Sequence, residues 1–255
     1  MLAPIRPFTV ACALGALFAS SGCDLFGLGG DGKSLVQVLV THHATPEDGT
    51  FPDRRNGLGD QEFETDAGWT VTLDEAFVVT ASTTLHACDG TALPFDRYWG
   101  PLPENLGATD LDAFTFGGIE VGAGSYCSIS VTYGPYEAPE ETARMHEMPD
   151  DEDALVGATF YLSGFARKGD VTVEFELSST DELVIDLPIE ADDGGPLEIS
   201  GDEAFPLELT LSKTYDRLFD GIDFETMDTA ELEANALAVL ALETRLSAGT
   251  VVAAE

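Results

Sequence analysis

The chain has 255 residues, 44% of them hydrophobic, and a formal net charge of −36 at pH 7. That length suits one large domain with a substantial core, and acidity of this degree repels phosphate backbones and excludes nucleic acid as a partner. The 47 Asp and Glu are spread along the sequence rather than gathered in a tail, the pattern of a solvated, self-repelling surface that salt screens.

Residues 1–22 read as a signal peptide. Arg6 supplies a basic start, an apolar run extends from Phe8 to Phe18, and Ala19, Ser20, Ser21 and Gly22 form a small-residue exit. The run is shorter than the roughly 20 apolar residues that a bilayer core requires. Cys23 directly after those small residues resembles the lipobox of bacterial lipoproteins, where the cysteine is acylated and becomes the first residue of the mature protein. Ser20 stands where that family usually has leucine, which keeps an ordinary secreted protein as the other reading. The resemblance implies a lipid-anchored protein on the extracytoplasmic side of the outer or inner membrane, palmitate on Cys23, and the membrane as its first partner.

Residues 23–34 form a Gly-rich tether, and residues 35–255 a single β domain. The Gly27–Gly32 run neither follows a strand nor opens a helix, so it is no dinucleotide fingerprint. Leu35–Val40 is the first predicted strand. The strongest strand signal covers Trp69–Cys88, where Val and Thr alternate around an interruption at Asp74–Glu75. Asp89–Gly118, punctuated by Pro94, Pro101 and Pro103, is predicted to be a long irregular connection. Gly124 then opens a strand in which Cys127, Ile129, Val131 and Tyr133 share one face, directing Cys127 inward.

Residues 134–153 are rich in Pro and acids and read as an exposed loop. Ala158–Ala166 and Val171–Leu177 form a hairpin about the Arg167–Asp170 turn, with Val171, Val173, Phe175 and Leu177 on one face. Leu183–Ile189, Leu197–Ile199 and Leu207–Leu211 are further strands, and Tyr215–Phe219 a short helical turn. A closing helix is expected over Ala230–Ser247, capped by Thr229 and stopped by Gly249. Leu237, Leu240 and Ala241, with Leu242 and Leu246, give it an apolar stripe. About eight strands and one helix specify an antiparallel β-sandwich with the helix packed on it.

Of the four cysteines, Cys12 leaves with the signal and Cys23 takes the lipid. Cys88 and Cys127 remain, and in an oxidising compartment their default state is a disulfide. Enzyme signatures fail: His146-Glu147 begins a zinc-protease motif that Pro149 and Asp150 break, and there is no nucleophile elbow or P-loop. An envelope hydrolase survives only if His86 and His146 share a cleft. The sharper chemical candidate is copper. Met145, His146 and Met148 place two thioethers and an imidazole within four residues, a set that suits Cu(I), with His42, His43 or His86 as further ligands. Calcium is less favoured, because Asp150–Asp153 and Asp192–Asp202 lack the alternating spacing of a calcium loop.

The order of elements carries one more resemblance. A lipobox-like start and first strand are followed by Gly68-Trp-Thr-Val-Thr, a Gly-Ser-Tyr-Cys strand, and the acidic Leu218–Phe224 (LFDGIDF) before the closing helix. This is similar to hypothetical lipoproteins of myxobacteria and, more distantly, to MbnP-like β-sandwich proteins. Some of the latter bind copper through histidines and a modified tryptophan, which puts Trp69 and Trp99 beside the histidines as residues to locate, packing being the other role for both. The expectation is a lipid-anchored β-sandwich that binds a protein or small ligand, or serves as a surface component, without catalysis.

Overall fold

The computed structural model describes residues 32–45, 61–138, 148–149, 152–191, 194–201, 203 and 205–250. The predicted signal, Cys23 and most of the predicted tether lie outside these residues. So do Met145, His146 and parts of both acidic segments considered for calcium.

Two sheets face each other as a β-sandwich. In the first, β1 (Lys33–His43) is flanked by β13 (Leu207–Thr214) and β7 (Phe114–Gly122). β14 (Arg245–Thr250) pairs with β13, and β5 (Asp96–Arg97) with β7. Val36, Val38 and Val40 alternate with half-buried Leu35, Gln37 and Leu39, so β1 buries one face as its period predicts. β1 and β13 run parallel, so the sandwich is not wholly antiparallel; the other pairings are antiparallel.

The second sheet is built on β3 (Thr70–Ala87), a single strand of 18 residues. β9 (Phe160–Lys168) pairs with its first half and β8 (Gly124–Tyr133) with its second, while β2 (Gln61–Glu64), β6 (Leu102–Asn105) and β4 (Ala92–Pro94) pair with successive segments. β10 (Val171–Ser179) extends the sheet beyond β9. β11 (Leu183–Pro188) and β12 (Leu197–Ile199) pair with β8. The Asp74–Glu75 interruption is a register shift against β9, not a break in β3. The predicted irregular connection therefore contains β4, β5, β6 and the start of β7. Pro94 and Pro103 are tolerated because β4 and β6 are short strands at the margin of the sheet.

Val78 and Leu85 of β3 enter the core between the sheets, whereas Phe77 and Val79 point the other way, into a second cluster with Tyr136, Leu155 and Ala158. The short helix α1 (Glu152–Leu155) brings Leu155 there, so the Pro- and acid-rich segment is anchored at both ends rather than wholly exposed. At one end of the main core, Phe219 and Phe224 of the LFDGIDF segment pack with Phe175, and Phe224 meets Trp69 edge-on at 5.4 Å between centroids. Trp69 is fully buried and is a packing residue.

The closing helix α2 spans Thr229–Glu243, shorter than expected. Its N-cap is Asp228, not Thr229: the Asp228 carboxylate accepts from the Glu231 N–H at 3.0 Å, and the Glu231 carboxylate accepts from the Asp228 N–H at 3.1 Å. Leu232, Ala236 and Leu240 are its buried residues, while Leu242, placed in the expected stripe, is 67% exposed. The helix stops because Thr244 turns extended and the chain pairs with β13. Leu246 and Ala248, two apart, then pack on the core as strand residues.

Cys88 and Cys127 form a disulfide, with Cα atoms 5.0 Å apart. It does not point inward. The β3–β8 ladder slips between His86 and Ala87, so Tyr126 takes the place opposite Ala87. Tyr126 is buried and Cys127 exposed, as is Cys88; the extra residue of a bulge reverses the face on which its neighbours lie.

Candidate functional site

The sequence-nominated histidines divide between the two sheets. His42 and His43 end β1, where both faces of the strand are covered, so adjacent side chains are both buried. His42 Nδ1 donates to Glu104 Oε1 at 3.0 Å, and its Nε2 lies 3.4 Å from the Ala108 carbonyl. His43 Nδ1 donates to the Ala44 carbonyl at 2.7 Å. His86 belongs to β3, where its Nε2 donates to Ser130 Oγ at 2.6 Å and Ser130 in turn donates to Asp186. The hydroxyl sits between imidazole and carboxylate there, the reverse of the order in which a base activates a serine. Met148 packs beside the second apolar cluster.

Among the described residues, no three His, Cys, Asp or Glu converge as a metal site requires. His42 and His43 each bond a protein oxygen through Nδ1, and His86 lies in the other sheet. Met145 and His146, the centre of the copper reading, lie outside the described residues.

What the sequence did not single out is the partner set of His42. Lys213 of β13 reaches Glu104 Oε2 at 2.5 Å, with both side chains almost wholly buried. Its ammonium stands 5.7 Å from the Tyr133 ring centroid, and Tyr133 shares a 3.0 Å hydrogen bond with Thr244 at the end of α2. Burial alone would raise the Glu104 pKa, but the charge of Lys213 and the hydrogen bond from His42 outweigh it and hold the carboxyl below its ordinary value. Burial likewise disfavours the Lys213 cation, and the charge of Glu104 reverses that, raising its pKa. This is an ion pair closed to solvent that joins β6, β1 and β13 across the two sheets. The register 42↔213 between β1 and β13 sets its geometry.

A second polar–aromatic grouping lies open at the surface. Tyr98, Trp99 and Phe114 are 43%, 37% and 42% exposed and line a groove of about 370 Å³ with Gln37 and Thr115. Trp99 is thus partly open to solvent, unlike Trp69. The groove exists because β7 carries Gly117 and Gly118. A methyl group on Gly117 would lie 2.3 Å from the Asp96 carbonyl, and one on Gly118 2.3 Å from Tyr98 Oη. The paired glycines let β5 approach and let the Tyr98 ring lie across the strand. Tyr98 is fixed there by its N–H donating to the Phe116 carbonyl at 3.1 Å and by Gln37 Nε2 donating to its hydroxyl at 3.3 Å.

No family model and no curated protein matches the chain. Among solved structures, it is similar to MbnP from Methylosinus trichosporium, at 10% sequence identity and a TM-score of 0.38, over 86% of this chain and 99% of that one. The likeness is distant and carries no residue or activity across.

Proposed function

We propose that this is a lipid-anchored, extracytoplasmic β-sandwich that acts by binding, without catalysis. The observation that carries the reading is the Cys88–Cys127 disulfide with both cysteines exposed, a bond that persists where the medium is oxidising. It agrees with the signal-like start and with Cys23 as the lipid site. A binding role is supported by the contrast in access. The titratable cluster at Glu104 is closed to solvent, where no substrate can reach it, while the accessible groove offers aromatic rings, an amide and a hydroxyl.

The test is fractionation with N-terminal mass spectrometry of the full chain expressed in a Gram-negative host. The expected result is a membrane-associated protein beginning at a diacylglyceryl-modified Cys23, released to the soluble fraction by Cys23→Ser. An unprocessed Met1 in the cytosol overturns the reading. The competing copper reading is met by metal analysis of protein purified without chelators: stoichiometric copper, lost on His146→Ala, would replace a general binding role with a metal-handling one.

A further inference from the structure

We infer that the Tyr98–Trp99–Phe114 groove binds a neutral polysaccharide. The inference rests on the binding role proposed above and names the ligand class. Exposed aromatic side chains are rare on this surface: Tyr98, Trp99, Phe114 and Phe205 are the large exposed ones among the described residues, and three of the four line one groove. Its volume, about 370 Å³, falls in the range of clefts that hold small ligands or short stretches of polymer.

Tyr98 is also preset. Its N–H and its hydroxyl are each hydrogen-bonded, and it lies over a glycine whose missing side chain makes the room, so little ordering of that ring remains to be done when a ligand arrives. A ring face is apolar and polarisable, and it suits a ligand that is flat, presents C–H groups on one side and carries hydroxyls at its edge. Gln37, whose amide carbonyl is still available, and the Thr115 hydroxyl lie where such an edge would need hydrogen-bond partners. A sugar ring has that combination.

Charge decides between ligand classes. The chain carries −36, so an acidic glycan would be repelled on approach. A cationic ligand would be drawn to carboxylates, and two other clefts among the described residues do carry them: Asp74, Glu174 and Glu176 in one, Asp89 in the other. The aromatic groove has no charged residue in its lining. An uncharged patch in so acidic a surface fits an uncharged partner.

The experiment is affinity electrophoresis of the full chain in native gels containing laminarin, xyloglucan, galactomannan or dextran, with polygalacturonate as the acidic control and tryptophan emission as a second readout. Retardation by at least one neutral polysaccharide, and none by polygalacturonate, is expected. Trp99→Ala should weaken it about tenfold or more, as loss of a central Trp does in contact surfaces. Gly118→Ala should weaken it by displacing Tyr98, with the melting temperature of both variants monitored. The inference fails if no neutral polysaccharide retards the protein, if Trp99→Ala is retarded as strongly as the parent, or if tetramethylammonium quenches Trp99 while the polysaccharides do nothing. Failure here with the protein still found in the envelope removes the saccharide and leaves the location. Retardation by a protein found in the cytosol does the reverse.

Discussion

The buried Glu104 cluster and the open Tyr98 groove share two pieces of chain. β1 supplies His42 to the first and Gln37 to the second, and residues 98–104 run from Tyr98 at the surface to Glu104 in the interior. Their chemical content is opposite to their accessibility. The cluster has an imidazole, a carboxylate and an ammonium, all sealed; the groove has rings and neutral polar groups, all reachable. Reactive residue types therefore mark the part of this molecule that holds the sheets together, and the unreactive ones mark the part that meets other molecules.

Removing one member of the sealed cluster should break that contrast most visibly. Glu104→Ala leaves the Lys213 cation buried without its partner, a change that costs about 3–5 kcal/mol. Chemical denaturation should show that loss, and Glu104→Leu combined with Lys213→Met should recover much of it, because two apolar side chains leave no stranded charge. If the single and double variants are equally destabilised, the pair is not the fastening it is taken to be. Replacing Cys88 and Cys127 by Ser opens a link between residues 39 apart and should cost about 2–4 kcal/mol. Because both cysteines are exposed, dithiothreitol should reduce the bond in the folded protein, and mass spectrometry after alkylation would detect it.

The difference between the two regions also explains what could be read from the residues alone. Most of β1, β10 and β13 follow a two-residue period that one buried face imposes, and that period is local; β3 is legible through its Val and Thr content, although Ala76–Thr80 is buried on both faces. β7 hides because Gly117-Gly118 looks like a turn. The glycines are there for the Asp96 backbone and the Tyr98 ring, partners some twenty residues away in sequence. Residues 245–250 hide for a different reason: Leu242 and Leu246 fit a helix, and Leu246 and Ala248 fit a strand equally well, so only pairing with β13 decides. Cys127 as a disulfide partner followed from cysteine arithmetic, but its outward direction depends on a bulge that no local pattern encodes. Of the two regions only His42 and Trp99 stood out in the sequence, and neither region was legible as a whole. Glu104 is one of 47 acids, and its burial is set by the partners that reach it from β1 and β13. Tyr98 and Trp99 sit in a Pro-rich stretch that reads as a linker until it is seen lying on a sheet.

A smaller effect should appear on titration. Glu104 has a pKa below its ordinary 4.5, so its contribution is present above pH 4.5 and is lost as pH falls through its folded value. Glu203, whose own partial burial works against the shift, accepts hydrogen bonds from Ser34 and Ser200 that bring it to about 2. Its contribution disappears between roughly pH 4.5 and 2. Lys213 lies above its ordinary 10.5, so its contribution is complete below pH 10.5 and lost as pH rises through the folded value. Between those limits the self-repulsion of the acidic surface dominates. Melting temperature should therefore fall as pH drops below about 4.5. Added salt should stabilise the protein at pH 7. A melting temperature that stays level from pH 5 to 2 would contradict this balance.

The smallest expected effect separates the two tryptophans. Trp69 is fully buried against Phe224, and Trp69→Ala removes a large core side chain at a cost of about 3–5 kcal/mol. Trp99 is 37% exposed in the lining of the groove, so Trp99→Ala gives up partial contacts and opens no closed cavity. Its stability should stay within about 1 kcal/mol of the parent by urea denaturation, with an unchanged denaturant slope. A loss comparable to that of Trp69→Ala would mean that Trp99 holds the β5–β6 connection in place. The groove would then belong with the sealed cluster as part of the scaffold, and its aromatic lining would need no ligand to explain it.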